Sequence, residues 1–417
     1  MGADVTVAAL SDYFVKRFNL AGRDAEYKRN RVTLAMMPRN TTRLAQGDGF
    51  YETVRVADGW SDSPDFASGM ANYRNDKTFR WLVGDPYPQY GRVTFDGLLL
   101  ARNNVGTIID TKGAAVDGVG NNMLDSLEFQ MWNTVAARGK IAAGGTGGTA
   151  AARILTLDSE DDVYNFPVNM VATASTTNTG AGTDRVDVYR VDSVDPLNKK
   201  VYLTRISGSS GDWADADYIF AIGSKDAYMP GIPTFIPSSD PTDTLFGVAR
   251  TGQGPALSGW RFSYVGSISE TIQRSFAKMG RYVNRSAMRF TACLSPDDWL
   301  LLSLEQQGTV IRNPERSQEF GTAVLDVVTP FGAIPCIAIP QLKSGRGYIV
   351  DWTSWELYSL KNLPHVIDDD GRVMQRLAPG NPSGNNLNGD GVEMRFRIWK
   401  VLLCLAPLAN ATFPTTA

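Results

Sequence analysis

The chain has 417 residues, is 43% hydrophobic and 20% charged, and carries a net charge of −3. That length exceeds one ordinary core and predicts two or three packed units. Near-neutral charge excludes the broad basic surface that holds nucleic acid by counterion release, and with it a sequence-specific DNA reader.

Charge is uneven along the chain. Residues 1–50 carry eight Lys and Arg against five Asp and Glu, a net +3, whereas residues 151–250 carry eight against fourteen, a net −6. A basic arm and an acidic middle point to partners that are proteins, other copies included. The 40 Gly and 21 Pro predict many turns and a β-rich or α+β fold. Cys293, Cys336 and Cys404 lie far apart and form no C-x-x-C pair, which suits buried thiols in a reducing compartment. No basic and then apolar leader opens the sequence, and the longest apolar run, Val401 to Leu408, is too short to span a bilayer. Both observations predict a protein made in a cytosol.

In residues 1–35, Leu10, Phe14 and Phe18 fall four apart on one helical stripe, followed by Lys28, Arg29 and Arg31. So small a segment cannot bury that stripe alone, so it is expected to lie on another surface. From Phe50 to Phe95, the runs YETVRV and KTFRWLV alternate with the turn-rich spans ADGWSDSPDFASG and GDPYPQYG. This reads as an extended hairpin projecting from the body. Trp60, Phe66, Tyr73 and Trp81 are its candidates for contact with a neighbour, a small local core being the equal alternative.

The stretch GNNMLDSLEFQMWNTVAARG predicts a helix over 121–138. Leu124, Leu127, Met131 and Val135 repeat at spacings of three and four, Asn121 or Asn122 can cap its start, and Gly139 can end it. The run KIAAGGTGGTAAARILTL follows. Gly145, Gly147 and Ala150 fit the dinucleotide form G-x-G-x-x-A, but here the order is helix, glycines, strand. A pyrophosphate needs strand, glycines, helix, so that it meets the positive end of the helix dipole. Gly144, Gly145, Gly147 and Gly148 are therefore read as a hinge into a β domain, with no cofactor bound there.

Beyond the hinge, RILTL, FPVNMVATA, DRVDVYRVDSVD, KKVYLTRI and DYIFAIG read as strands, with a hairpin across Pro196, Leu197 and Asn198. The proline-rich MPGIPTFIPSSDPTD is the exit loop. Two helices follow, Ile268 to Arg285 and LSPDDWLLLSLEQQG, the second capped by Ser295 with Pro296 in its first turn. Strands then run through VLDVVTPFGAIPCIAIP, GRGYIVDWTSWELYSL, HVIDDDGRVMQRL and GVEMRFRIWKVLLCLAP, with a turn at Asp370-Gly371.

His365 is the only histidine, which removes multi-histidine zinc sites; with no G-x-S-x-G elbow, a triad with Asp368 has no support. Arg372 breaks an EF-hand spacing. Paired acids at 161–162, 297–298 and 368–370 read as a turn, a helix first turn and a hairpin. Distant carboxylates acting on a glycosidic bond stay open as an alternative. No catalytic, cofactor-binding or metal-ligating residue is expected.

The order of these elements resembles the major capsid proteins of tailed bacteriophages, whose fold is shared with encapsulins and the herpesvirus capsid floor. The local likeness is strongest at Phe331, Gly332, Ile334 and Pro335, then Tyr348, Ile349 and Asp351, and in the ending MRFRIWKVLLCLAPLANATF. The resemblance implies an α+β capsid fold. Its parts would be an N-terminal arm at 1–45, an extended hairpin loop at 46–95, a peripheral domain with a spine helix at 96–145 and an inserted β domain at 150–250. An axial domain at 255–390 and a peripheral strand and tail at 391–417 would complete it.

The same resemblance implies a non-enzymatic virion protein. It would be assembled in the host cytoplasm into hexamers and pentamers of an icosahedral head enclosing double-stranded DNA. Its partners would be other copies, a scaffolding protein, a portal, a decoration protein in some members, and packaged DNA held without sequence specificity. It implies no cofactor and no membrane. The alternatives are a carbohydrate-active hydrolase with a β accessory domain and a β-rich virion adhesin.

Overall fold

A computed structural model of the chain describes residues 3–5, 31–41, 49–57, 62–71, 77–95, 111–209, 211–283, 290–306, 324–361, 363–367, 373, 375–376 and 391–416. The first part supplies β1 (Ala3–Val5), α1 (Val32–Met36), β2 (Arg39–Asn40), β3 (Phe50–Ala57), α2 (Phe66–Ala71), β4 (Lys77–Val83), β5 (Tyr87–Phe95) and α3 (Thr111–Trp132). Of the span expected as one hairpin, only β3 and β4 pair with each other; β5 joins a different sheet.

Helix α3 is the expected spine, but it begins well before Asn121 and stops at Trp132, short of Gly139. Val116 and Val119 extend the apolar stripe of Met123 upstream against β5, and that packing outweighs the glycines in the first turns. At the other end Asn133 Nδ2 (2.8 Å) and the Tyr228 hydroxyl (3.3 Å) both donate to Phe129 O, satisfying a carbonyl of the last turn.

Strands β6 (Gly139–Gly148), β7 (Ala152–Leu157), β8 (Val171–Ser175), β9 (Val188–Asp195), β10 (Lys200–Ser207) and β11 (Tyr218–Ala221) close a barrel in the order β10-β7-β6-β11-β8-β9. Alternate side chains, among them Ile141, Leu155, Leu157, Tyr189, Val191 and Val201, fill its interior. The barrel therefore starts before residue 150 and ends well before 250.

The glycine run departs from the hinge reading. Gly147 pairs with Ile154 and Gly148 with Arg153, inside the barrel wall. A register shift between Ile141 and Thr146 marks a bulge, where Gly144 takes φ +68°. A Cβ on Gly145 would sit 2.5 Å from Thr156 O. These glycines answer close backbone approach and left-handed φ, the usual demands of a bulged barrel strand, and none of them lies in the joint. The joint is the segment 133–138, which Arg138 holds: its guanidinium donates to Asn165 O (3.0 Å) and Ser126 Oγ (3.0 Å), and lies over the Phe129 ring.

The remaining elements are α4 (Ile232–Phe235), β12 (Thr244–Leu245), β13 (Val248–Ala249), α5 (Pro255–Ser258), β14 (Trp260–Arg261), α6 (Ile268–Met279), β15 (Phe290–Leu294), α7 (Pro296–Gln306), β16 (Val324–Thr329), β17 (Gly332–Ala338), β18 (Arg346–Asp351), β19 (Trp355–Ser359), β20 (His365–Val366), β21 (Gln375–Arg376), β22 (Val392–Cys404) and β23 (Ala411–Pro414). Ser267 caps α6 by accepting from Glu270 N–H, and Ser295 caps α7 by accepting from Asp298 N–H. Helix α6 stops at Met279, where Gly280 ends it before Arg285. The Asp370-Gly371 turn lies outside the described residues.

One sheet runs β1-β5-β22-β19-β2, with β20 and β21 also along β22, and packs one face on α3. The other runs β14-β23-β18-β15-β17-β16 and carries α6 and α7. The chain passes directly between them at 352–354 and again after β22, so the tail strand β23 lies in the second sheet and not beside β22. Buried Asn410 pins both crossings. Its Oδ1 accepts from Asp351 N–H (3.0 Å) and Trp355 Nε1–H (2.9 Å), and its Nδ2 donates to Ser354 Oγ (2.9 Å). Cys293, Cys336 and Cys404 are buried free thiols, as expected.

Candidate functional site

In an antiparallel pair, side chains alternate between two faces, and β3–β4 buries only one of them. Val54, Trp81 and Val83 face the core, while Tyr51 and Leu82, directly paired, are 65% and 44% exposed. Trp81 was a sequence candidate for contact with a neighbour, and the structure corrects this. It is fully buried, its Nε1–H donates to Cys404 O at 3.1 Å, and its ring meets Phe235 and Phe246 edge-on. Leu82 N–H donates to Phe246 O at 2.9 Å, which fixes β4 beside the β12–β13 hairpin and turns Trp81 inward.

At the far end of the hairpin Asp65 Oδ2 accepts from Ser68 N–H at 2.9 Å, and α2 presents Phe66 and Met70 at 84% and 69% exposure. Four residues apart, they share one helical face. Phe66 is thus an exposed aromatic at the hairpin end, where the sequence placed it. Trp60 and Tyr73, and Phe14 and Phe18 of the arm, lie outside the described residues. Sequence reasoning passed over Tyr51, Met70 and Leu82; the period-two alternation of FYETVRVA against KTFRWLV was the signal for the first and last.

The root of the arm is fastened to α3. Arg31 Nε lies 2.7 Å from Asp125 Oδ1, Thr33 N–H donates to Glu128 Oε1 at 2.9 Å, and Trp132 Nε1–H donates to Thr33 Oγ1 at 2.7 Å. Asp125, Glu128 and Trp132, spaced by three and four, form one face of the helix. Burial raises the Glu128 carboxyl to about 7, against the opposing pull of the Thr33 N–H. Next along the chain, β2 pairs in parallel with β19, and Asn40 Nδ2 donates to Glu356 Oε1 at 2.8 Å.

The barrel rests on the second sheet through the loop after β17. Asp161 Oδ2 accepts from Ser344 N–H and Oγ–H, and Lys343 Nζ lies 2.6 Å from Asp162 Oδ1. On the same sheet, Leu300, Leu301 and Leu304 of α7 are exposed. Among the described residues no group of His, Cys, Asp and Glu could hold a metal ion. His365 sits in β20 opposite Arg397. What the arrangement offers is contact: apolar side chains held away from the core on a short two-stranded extension, and an arm whose root is locked.

No family model matches the chain, and no curated protein matches it in sequence. Among solved structures it superposes on the cyanophage A-1(L) capsid asymmetric unit with a TM-score of 0.54 at 10% identity, over 97% of this chain and 98% of that one. It is also similar to the capsid of a native GTA particle (TM-score 0.49, 8% identity, 99% and 98% covered). A third likeness is to the SrpI encapsulin of Synechococcus elongatus PCC 7942 (TM-score 0.47, 8% identity, 99% and 95% covered). Element order, the crossed sheets and the end-to-end superposition on the cyanophage subunit together give the chain the α+β fold of phage capsid proteins.

Proposed function

We propose that the chain is the major shell protein of a tailed bacteriophage, building hexamers and pentamers of an icosahedral head around double-stranded DNA. The observation that carries this reading is the superposition on a cyanophage capsid subunit over nearly the whole of both chains. The exposed apolar hairpin supports it, because a shell closes through repeated contacts made by parts that reach beyond their own core. In this reading the segment before β3 is the arm, the β3–β4 hairpin the extended loop, α3 with the sheet of β5, β19 and β22 the peripheral domain, the barrel of β6–β11 the inserted domain, and the sheet that carries α6 and α7, with the tail strand β23, the axial domain. Phe66, with Met70, Tyr51 and Leu82, contacts the next subunit. The partners are other copies, a scaffolding protein and a portal, with packaged DNA held without sequence specificity, and the chain performs no catalysis.

Electron microscopy of the purified protein, with and without a co-expressed scaffolding protein, tests this. Hollow shells or rings of five and six subunits are expected. A monodisperse monomer under every assembly condition would overturn the reading.

A further inference from the structure

Residues 31–37 and helix α3 form an interface within one chain, and its polar centre is Glu128. That side chain is fully buried: Oε1 accepts the Thr33 N–H, while Oε2 is buried with no partner among the described residues. A neutral carboxyl with one hydrogen bond costs little to bury. A carboxylate in the same place is an ion held by one neutral donor and shut away from water. Arg31 sits at the rim of the interface, where its Nε lies 2.7 Å from Asp125 Oδ1 and its guanidinium donates to Asn121 Oδ1 at 3.0 Å. Val32, Leu34 and Met37 are buried behind it.

Helix α1 has little to hold it apart from α3. It is five residues long, receives no cap from the Arg31 side chain and has no acidic residue in its first turn. A helix that short is not stable alone in water. It is therefore an element with two states, wound and docked or unwound and solvated. The charged and titratable groups facing Glu128 do not offset its burial. On α3, Asp125 disfavours a second negative charge; on the arm root, Arg31 is engaged by Asp125 and Asn121, and Arg39 donates to Leu34 O at the far end of α1. Tyr348 packs on Trp132 and Tyr228 donates to Phe129 O, and burial raises both phenols so that they stay neutral. Burial is the largest influence on Glu128, larger than the Thr33 and Leu34 N–H groups that favour its ionised form.

We infer that Glu128 is a proton-operated clasp: when neutral it holds α1 wound against the spine helix, and on ionising it releases residues 31–37. The carboxyl then reaches water, and α1 loses the contacts that keep it helical. A released root lets the arm leave its own subunit and reach another copy. That use rests on the shell reading; the clasp itself is a property of the single chain.

Hydrogen exchange on the full-length, unassembled chain tests it, read as protection factors so that the pH dependence of the exchange chemistry cancels. With the carboxyl at about 7 when docked and 4.5 when solvated, protection at Thr33, Ala35 and Met37 should fall by about 70-fold from pH 5 to pH 8. Ile349 and Val350, in the middle of the second sheet, should not follow. In Glu128→Gln the arm-root amides should keep one level of protection at both pH values. Asp125→Asn, which breaks the Arg31 pair, should lower their protection at both and keep most of the fall between them. A melting curve on each variant shows whether it folds; if Glu128→Gln does not, the contrast between Thr33 and Ile349 in the parent decides. Arm-root protection that stays constant with pH in the parent would overturn the clasp. So would an equal fall at Ile349, which would make Glu128 a load on the whole fold, or a fall that persists in Glu128→Gln, which would put the titrating group elsewhere. Shells built by a chain whose arm root ignores pH would sink this inference alone; a pH-dependent arm root in a chain that never assembles would sink the shell reading alone.

Discussion

Glu128 on the spine helix accepts the Thr33 N–H at 2.9 Å, joining residues 95 apart in sequence, and its other oxygen is buried without a partner among the described residues. Thr33 lies in the first turn of α1, so the carboxyl caps that helix from outside as well as fastening the arm. With a folded pKa of about 7 against an ordinary 4.5, the native protein binds a proton that the unfolded chain has lost between those values. Stability from this group is full below about 4.5 and falls as pH rises through 7, by roughly 3 kcal/mol in all. Glu128→Gln keeps the acceptor and removes the titration. Its melting temperature should match the parent at pH 4.5 and exceed it at pH 8; equal values at both would sink this account.

Lys400 shows the opposite linkage. It is fully buried on the α3 side of β22, where its ammonium donates to Gln89 Oε1, and burial lowers its pKa to about 7 from 10.5. Between those values the unfolded chain holds a proton that the native one lacks, so stability rises with pH across that window, by an amount on the order of 5 kcal/mol. Lys400→Met removes the cost of burying a charge. Urea midpoints should rise for the variant at pH 6 and coincide with the parent near pH 10. A variant less stable than the parent at pH 6 would show that the bond to Gln89 outweighs the burial cost.

The two ends of the β3–β4 hairpin should respond differently to substitution. Trp81→Ala removes a fully buried indole and leaves the Cys404 carbonyl without its donor, a loss of about 3–5 kcal/mol. Phe66→Ser and Met70→Ser, at exposed positions, should leave the urea midpoint within error and lower the yield of assembled particles in sedimentation. Normal assembly by the double Ser variant would take these residues out of any subunit contact.

These contrasts follow how far each feature depends on distant chain. The α6 and α7 caps, the β9–β10 hairpin and the existence of α3 rest on neighbours within a few residues, and they are legible from spacing alone. Trp81 faces inward because of Cys404, 323 residues away, so no local pattern separates it from Phe66. The alternation that exposes Tyr51 and Leu82 was present in the sequence. Which of the two faces was the outer one depended on the core built by β19, β22 and the 229–248 segment. The placement of β23 is likewise written in Asn410, whose side-chain partners Asp351, Ser354, Trp355, Cys404 and Ala406 become visible only once both sheets exist.

The barrel glycines give the last test, because a hinge and a strained strand respond differently to alanine. Gly148 has φ +79°, and a Cβ there would lie 2.3 Å from Ala152 O, whereas a Cβ on Gly147 would meet Ile154 O at 3.3 Å. Left-handed backbone costs an L-residue roughly 1–2 kcal/mol, and the clash with a carbonyl adds to it. Gly148→Ala should therefore destabilise the barrel clearly more than Gly147→Ala, read as faster hydrogen exchange at Arg153 and Ile154, the residues paired across the turn. A hinge would give the other result: similar small effects at both positions, with exchange in the barrel unchanged and only the motion of the barrel against α3 reduced. Equal exchange in the two variants would restore the hinge and remove these glycines from the barrel's structural requirements.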